Sequence, residues 1–352
     1  MSILALFAFA SRAHAIRWER AQRQSAEWFE TDEGKQVVDN VLAMQYPCGG
    51  WEQNLERSMD MAVPLSDARK QQLAQRRDQG SIDNSATYTQ LAFLARAYSA
   101  THDDRVLAAF NKGVDYLLDA QYDNGGWPMF FPLRKGYYTQ IHFNDNSVAG
   151  VMGLLRNVAA GKSPYEFVDS ARRERASAAV AKAVDCILKC QVMVDGKRTV
   201  WCAQHDEETL KPAPARAFEP VSLSGQESVG LVRALMAVDD PSPEIIAAVR
   251  DAVAWLEAAK IEGIRVVRVQ TSEGSDRAIE NDPDARPIWA RFYEIGTNRP
   301  IFTGRDSVIR YNYSEIERER RRGYAYYGDW PQKLLSEEYP AWAAKWGVSR
   351  GG

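Results

Sequence analysis

Four stretches of the chain echo one another. Residues 39–51 (DNVLAMQYPCGGW), 115–127 (DYLLDAQYDNGGW), 185–196 (DCILKCQVMVDG) and 251–260 (DAVAWLEAAK) each run from an Asp through apolar residues toward a polar one. Gln45, Gln121, Gln191 and, in the fourth copy, Lys260 hold corresponding places. The period is roughly 70 residues, the scale of a paired-helix repeat with long loops. Each copy reads as a helix end followed by a turn. In the second, Tyr116, Leu117 and Leu118 supply an apolar face, and Asp123-Asn124-Gly125-Gly126 stops the helix, because Gly accepts the left-handed conformation that a stop needs. Trp127 is placed to pack back over the helix end.

A second element alternates with the first. Asp83-Asn84-Ser85, Asp145-Asn146-Ser147 and, more distantly, Gln226-Glu227-Ser228 each open an amphipathic pattern. Val148, Val151, Met152 and Leu155 share one helical face, and Leu91, Leu94, Ala95 and Tyr98 repeat the spacing. Two alternating helices predict an all-α fold, an α/α toroid or incomplete α/α barrel with outer helices around inner ones. In that arrangement the repeated polar helix starts collect at one mouth. The C-terminal third departs from the pattern. Residues 263–271 (GIRVVRVQT) and 287–295 (PIWARFYEI) alternate and are β-branched or aromatic, which predicts short strands, with helix returning after Pro331. No low-complexity linker intervenes, so residues 16–352 are read as one domain.

Residues 1–15 read differently. Ile3 to Ala10 are apolar and Ala13-His14-Ala15 offers an A-x-A cleavage site, but a charged start is missing. This is the pattern of a truncated signal peptide, and it points to a periplasmic or secreted protein. No stretch reaches transmembrane length. Cys48, Cys186, Cys190 and Cys202 have neither a CxxC pair nor zinc spacing and are read as buried thiols, with a bridge from Cys202 left open. The net charge of −3 gives no bulk attraction for nucleic acid, so an anionic partner requires local positive charge.

The candidate chemistry lies in carboxylates and arginines. Asp83 and Asp145 look like equivalent repeat positions, each followed by Asn-Ser. Helix capping explains them as well as a hard, oxygen-preferring cation does, although the cluster His142-Phe143-Asn144-Asp145-Asn146 is richer in polar groups than a cap requires. Arg216, Arg291 and Arg305 stand among Pro, Gly and aromatic residues, where a planar guanidinium can bind carboxylates; the alternative is a structural ion pair, Arg305 with Asp306 or Arg291 with Glu294. The run Arg318 to Arg322, interleaved with Glu317 and Glu319, reads as a solvated face. His102 and His205 read as surface or loop residues; His142, close to Asp145, lines the candidate site or has a structural role. GxSxG, HExxH, P-loop and dinucleotide motifs are absent, which leaves serine-hydrolase, zinc-protease and nucleotide chemistry without support.

The segments DNVLAMQYPCGGWEQN, SIDNSATYTQLAFLARAY, AQYDNGGWPMFFPL, FNDNSVAGVM, WCAQHDEETLKPAPARAFE, SLSGQESVGLVRALM and ARFYEIGTNRPIFTGRDS together resemble polysaccharide lyase family ten, the bacterial pectate lyases, over residues 35 to 335. The resemblance implies an α/α toroid that cleaves the anionic polysaccharide polygalacturonate by calcium-assisted β-elimination. The chain is expected to act as a monomer, and its charge and hydropathy give no nucleic-acid or membrane partner. It implies Asp83 and Asp145 at the Ca²⁺ and substrate-carboxylate centre, Asn84 in contact with substrate, Arg291 and Arg216 on uronate carboxylates, and Arg305 as the base. Glu227 matches a family segment without an assigned role, and His142 stays a lower-ranked candidate beside it. One departure stands out: Glu52 and Gln53 follow Trp51 where the family pattern has Pro-Lys. The competing expectations are a glycoside hydrolase using Asp83 and Asp145 as acid and base, a terpenoid-cyclase relative, which lacks its DxDD motif here, and a non-catalytic uronate-binding protein.

Overall fold

The computed structural model describes residues 15–54 and 59–348. The leader reading of residues 1–15 falls almost wholly outside them. Seven helices carry the architecture: Asp32–Ala43 (α1), Tyr88–Thr101 (α2), Asp104–Asp119 (α3), Ser147–Ala160 (α4), Ser170–Cys190 (α5), Glu227–Met236 (α6) and Pro243–Ala258 (α7). The even-numbered helices pack on one another, α2 with α4 and α4 with α6. The odd-numbered ones do the same, α1 with α3 and α3 with α5, and each inner helix lies against the outer helix that follows it. This is the α/α toroid that the repeat predicts, an arc of outer helices around three inner ones.

Inner and outer helices begin differently. Every outer helix has a side-chain cap: Thr31 accepts from Gly34 N–H, Asp103 from Arg105, Asp169 from Arg172 and Ser242 from Ile245. None of the three inner helices has one. The polar triplets that open them are therefore free of the capping role that their composition allows.

The repeated Gln and Trp have one job in each copy. Gln45 Nε2 donates to the Gly49 and Ala109 carbonyls, Gln121 Nε2 to Gly125 and Ala179, and Gln191 Nε2 to Thr199 and Ala248, at 2.8–2.9 Å. Each amide thus closes its own turn and ties it to the next outer helix. Lys260 has no such bonds and pairs with Glu257 instead. Buried indole N–H groups of Trp51, Trp127, Trp201 and Trp289 satisfy the end carbonyls of Val41, Leu117, Ile187 and Leu256. The turns lie so close to the next helix that a Cβ on Gly125 (φ +94°) would meet the Lys182 carbonyl at 2.0 Å.

The predicted strand over 263–271 forms as Ile264–Thr271, paired antiparallel with Gly274–Asn281. The second strand carries charged residues on both faces, so alternation does not reveal it. Within 287–295 two short strands form, and Phe292–Tyr293 pairs with Leu223–Ser224 just before α6. A separate small core of Phe292, Ile301, Phe302, Tyr313, Ile316 and Tyr326 supports this region. Helix returns after Pro331 as a π turn, Leu334–Glu338, running into Tyr339–Trp346. All four cysteines are free thiols, Cys48 half-buried and the others buried. Among the described residues no helix is long and apolar enough to cross a membrane.

His205 is not a surface residue. It is fully buried in the strand Gln204–His205, which pairs with Ile141–His142. Its Nδ1–H donates to the Leu210 carbonyl at 2.8 Å, and Nε2 accepts the Cys202 amide at 3.2 Å. A second ring proton would face that N–H, and burial already pushes the imidazole down to about 4. The unfolded chain, with a pKa near 6.5, binds the proton first as pH falls, so stability is fully present above that value and declines toward the folded pKa. The expected slope from this one group is about 1.4 kcal/mol per pH unit between roughly pH 6.5 and 4. Denaturant unfolding of wild type and His205→Gln across this range checks it, the variant giving the flatter profile.

Candidate active site

The three uncapped helix starts meet at one mouth. The turns Asp83–Ser85 and Asn144–Asn146 pack on each other, and the second also packs on α6. A Cβ on Gly230 of α6 would lie 2.0 Å from Asn146 Oδ1, so a side chain there would push the elements apart. Both turns follow a two-residue strand, Gly80–Ser81 and Ile141–His142, and both place two consecutive residues at positive φ: Asn84 (51°) with Ser85 (69°), and Asp145 (51°) with Asn146 (59°). The repeat register is therefore one residue away from the triplet match. Asp83 corresponds to Asn144, and Asn84 to Asp145. Left-handed non-glycine backbone is costly, and holding it in both copies fixes the direction of the side chains.

Asp83 is buried. Gln204 donates to His142 Nδ1 at 2.8 Å, leaving the His142 proton on Nε2, which donates to Asp83 Oδ1 at 2.9 Å; Asn84 donates to Oδ2 at 2.9 Å. Burial alone would raise the Asp83 pKa, but the His142 hydrogen bond and nearby positive charge, including Arg216, outweigh it and hold it below the usual carboxylate value. Asp145, 28% exposed, is contacted by Asn144 at 3.1 Å and by Arg291 Nη2 at 3.3 Å.

Arg291 is buried. Its Nη2 also reaches Asn144 Oδ1 at 3.0 Å and Glu227 Oε1 at 2.5 Å, while Glu227, fully buried, accepts from Ser224. Burial lowers its pKa, but Glu227 first, with Tyr324, Asp145 and Glu219 behind it, raises it well above the usual arginine value. The Arg291 Nε has no acceptor among the described residues. Glu227 is thus the counterion of Arg291, a role its sequence position does not disclose, and Glu294 is not the partner; it bonds Thr297 and Tyr311.

Arg216 and Arg305 stand on the outer side of the mouth, around Phe218. Arg216 lies 4.8 Å from that ring, Arg305 5.9 Å and Arg320 4.4 Å. Arg216 forms a bidentate pair with Glu219 at 2.8 and 2.5 Å, and Tyr324 donates to the same carboxylate at 2.9 Å while stacking under Arg291 at 4.5 Å. Burial raises the Glu219 pKa, and the Arg216 contact more than reverses this. Arg305, 61% exposed, pairs with Glu319 at 3.1 Å and not with Asp306, which Arg310 holds. Hydrogen bonds from Arg320 and then Arg305 take Glu319 down to about 2. The charged run is therefore only partly a solvated face, since Arg320 is buried and Arg321 pairs with Asp276.

Among the described residues no three His, Cys, Asp or Glu side chains are placed to hold a metal by themselves. The converging donors are carboxylate and carboxamide oxygens. They fit a hard cation that completes its shell with oxygens of a bound anion. A general acid of a glycoside hydrolase needs a raised carboxyl pKa, and that of Asp83 is lowered.

A family model described as pectic acid lyase matches residues 45–335. A solved structure of a family 10 polysaccharide lyase from Cellvibrio cellulosa is 31% identical, with a TM-score of 0.76, covering 96% of this chain and 100% of that one. An aspartate-to-alanine mutant of a family 10 polysaccharide lyase from Cellvibrio cellulosa, in complex with trigalacturonic acid, is also 31% identical, with a TM-score of 0.75 over 92% of this chain and 97% of that one. A comparison with curated proteins gives no match.

Proposed function

Because the chain belongs to the pectic acid lyase family, and is a polysaccharide lyase of pectate type, we propose that it cleaves α-1,4-linked polygalacturonate by calcium-assisted β-elimination at the mouth of the toroid, with Arg305 as the base. The observation that carries this reading is the convergence of Asp83, Asn84, Asp145 and Arg291 from separate repeats and the C-terminal segment, with Arg216 and Arg305 beside them.

Elimination begins at C5 of the uronate, whose proton is acidified only if the neighbouring carboxylate is neutralised. Arg216 and the open Nε of Arg291 are the donors proposed for that carboxylate, and Asn84 for a hydroxyl or ring oxygen. Asp83 and Asp145 would hold Ca²⁺, which supplies positive charge to the carboxylate as negative charge builds. Neutral Arg305 takes the C5 proton. The C–H electron pair becomes the C4–C5 double bond, and the C4–O4 bond breaks with its electrons on O4, which acquires a proton and leaves as the new chain end. Arg305 is paired with Glu319, so it must leave that carboxylate to reach the C5 proton. Because the substrate is a polymer, the proposal places the protein outside the cytoplasm, in the periplasm or secreted.

Asp145→Asn is expected to raise the calcium concentration for half-maximal turnover by about tenfold or more, since it removes one ligand charge from a site that has few. A calcium titration of the initial rate reads this. An unchanged midpoint would remove Asp145 from the cation site.

A further inference from the structure

Beside the strand that leads to Asp83 lies a cavity of about 430 Å³ whose walls include Tyr46, Glu52, Arg76, Arg77, Phe130 and Arg134. The strand Phe130–Phe131 on its wall pairs with Gly80–Ser81, two residues before Asp83. Its charges are unequal. Arg76 is committed, to Glu52 at 2.8 Å and to the Leu73 and Met44 carbonyls. That pair neutralises the only acid among the lining residues. Arg77 and Arg134 are exposed and have no carboxylate partner among the described residues, so the cavity carries two uncompensated positive charges in a chain of net charge −3. The carboxamide oxygen of Gln53, also on the wall, is buried without a donor among the described residues.

A run of neighbouring side chains links the cavity to the mouth. Arg134 lies over Tyr138 at 4.1 Å and Phe130 at 5.4 Å, Tyr138 packs on Tyr137 at 4.0 Å, and Tyr137 is within electrostatic reach of Arg216 and Glu219. Tyr137 and Tyr138 thus stand between Arg216 and Arg134, with Phe130 beyond, so guanidinium groups and aromatic rings are interspersed along this side. A polyuronate presents both partners, carboxylates for guanidinium groups and apolar sugar faces for aromatic rings.

We propose that this cavity is a remote subsite for a galacturonate unit of the polymer, with Arg77 and Arg134 on its carboxylate, the Tyr46 and Phe130 rings beside the sugar, and Gln53 accepting a hydroxyl. It is built in part from Glu52 and Gln53, where this chain departs from the family pattern. The inference rests on polygalacturonate being the substrate. The test compares wild type, the double variant Arg77→Ala with Arg134→Ala, and a charge-matched control, Arg265→Ala with Arg268→Ala, on trigalacturonate, longer oligogalacturonides and polygalacturonate. The double variant should lose about tenfold in kcat/KM on the long substrates and nothing on the trimer, the loss expected for a charge-assisted contact; the control should match wild type on all. Equal losses on trimer and polymer, or none on the polymer, would overturn the subsite. Calorimetry with the same oligosaccharides reads the subsite apart from the reaction. Wild type that binds without cleaving refutes the mechanism and not the subsite, whereas equal affinity of wild type and double variant for the longest oligomer refutes the subsite.

Discussion

Arg305→Ala is expected to lower kcat on polygalacturonate by about 10³-fold, within the range by which a positioned general base accelerates proton transfer. The affinity for substrate should change little. Arg305 is 61% exposed and stands outside the Arg291–Glu227–Asp145 cluster, so its removal leaves the donors proposed for the uronate carboxylate in place. A matching rise in KM without loss of kcat would instead make Arg305 a binding residue.

Arg291→Ala should cost about 3–5 kcal/mol of stability, because it leaves the fully buried Glu227 carboxylate without its counterion. Mutating Glu227 to Ala in the same chain should restore part of that loss, since the buried charge is then removed with its partner. Guanidinium unfolding of the two single variants and the double variant measures this. A single-variant loss below about 1 kcal/mol would contradict the pair as a structural element of the buried site. The same substitution removes a donor proposed for the uronate carboxylate, so turnover should fall even where the variant is folded.

Much of the fold is legible in the sequence because the repeat is periodic. Gln45, Gln121 and Gln191 recur 76 and 70 residues apart, and each makes the same pair of bonds to the same two places. The fourth copy is harder to read, since Lys260 lacks that role and Trp289, its indole partner, lies 33 residues after the carbonyl it satisfies. The candidate residues come together through packing, but their relations do not show in the letters. Asp83 and Asp145 match as triplets, yet the turns count from the preceding strands and place Asn144 opposite Asp83. Capping is compatible with the composition of all three triplets, and only the observed bonds exclude it. Phe218, Glu219, Tyr324 and Glu319 join the site through tertiary contacts; Glu219 and Tyr324 are 105 residues apart. No local pattern marks such a pair. The nearest signal is compositional, an arginine in an aromatic and proline-rich loop, which selects Arg216 but not its counterion.

A digest of polygalacturonate, followed by near-ultraviolet absorbance and by reducing ends in the same samples, with Ca²⁺ and with chelator, decides between elimination and hydrolysis. Each elimination leaves a C4–C5 double bond on the new non-reducing end of one fragment and an ordinary reducing end on the other. Absorbance should therefore rise in step with reducing ends when Ca²⁺ is present, and both should stop in chelator. Reducing ends that accumulate without absorbance, or equal rates with and without calcium, would contradict calcium-assisted β-elimination at this site.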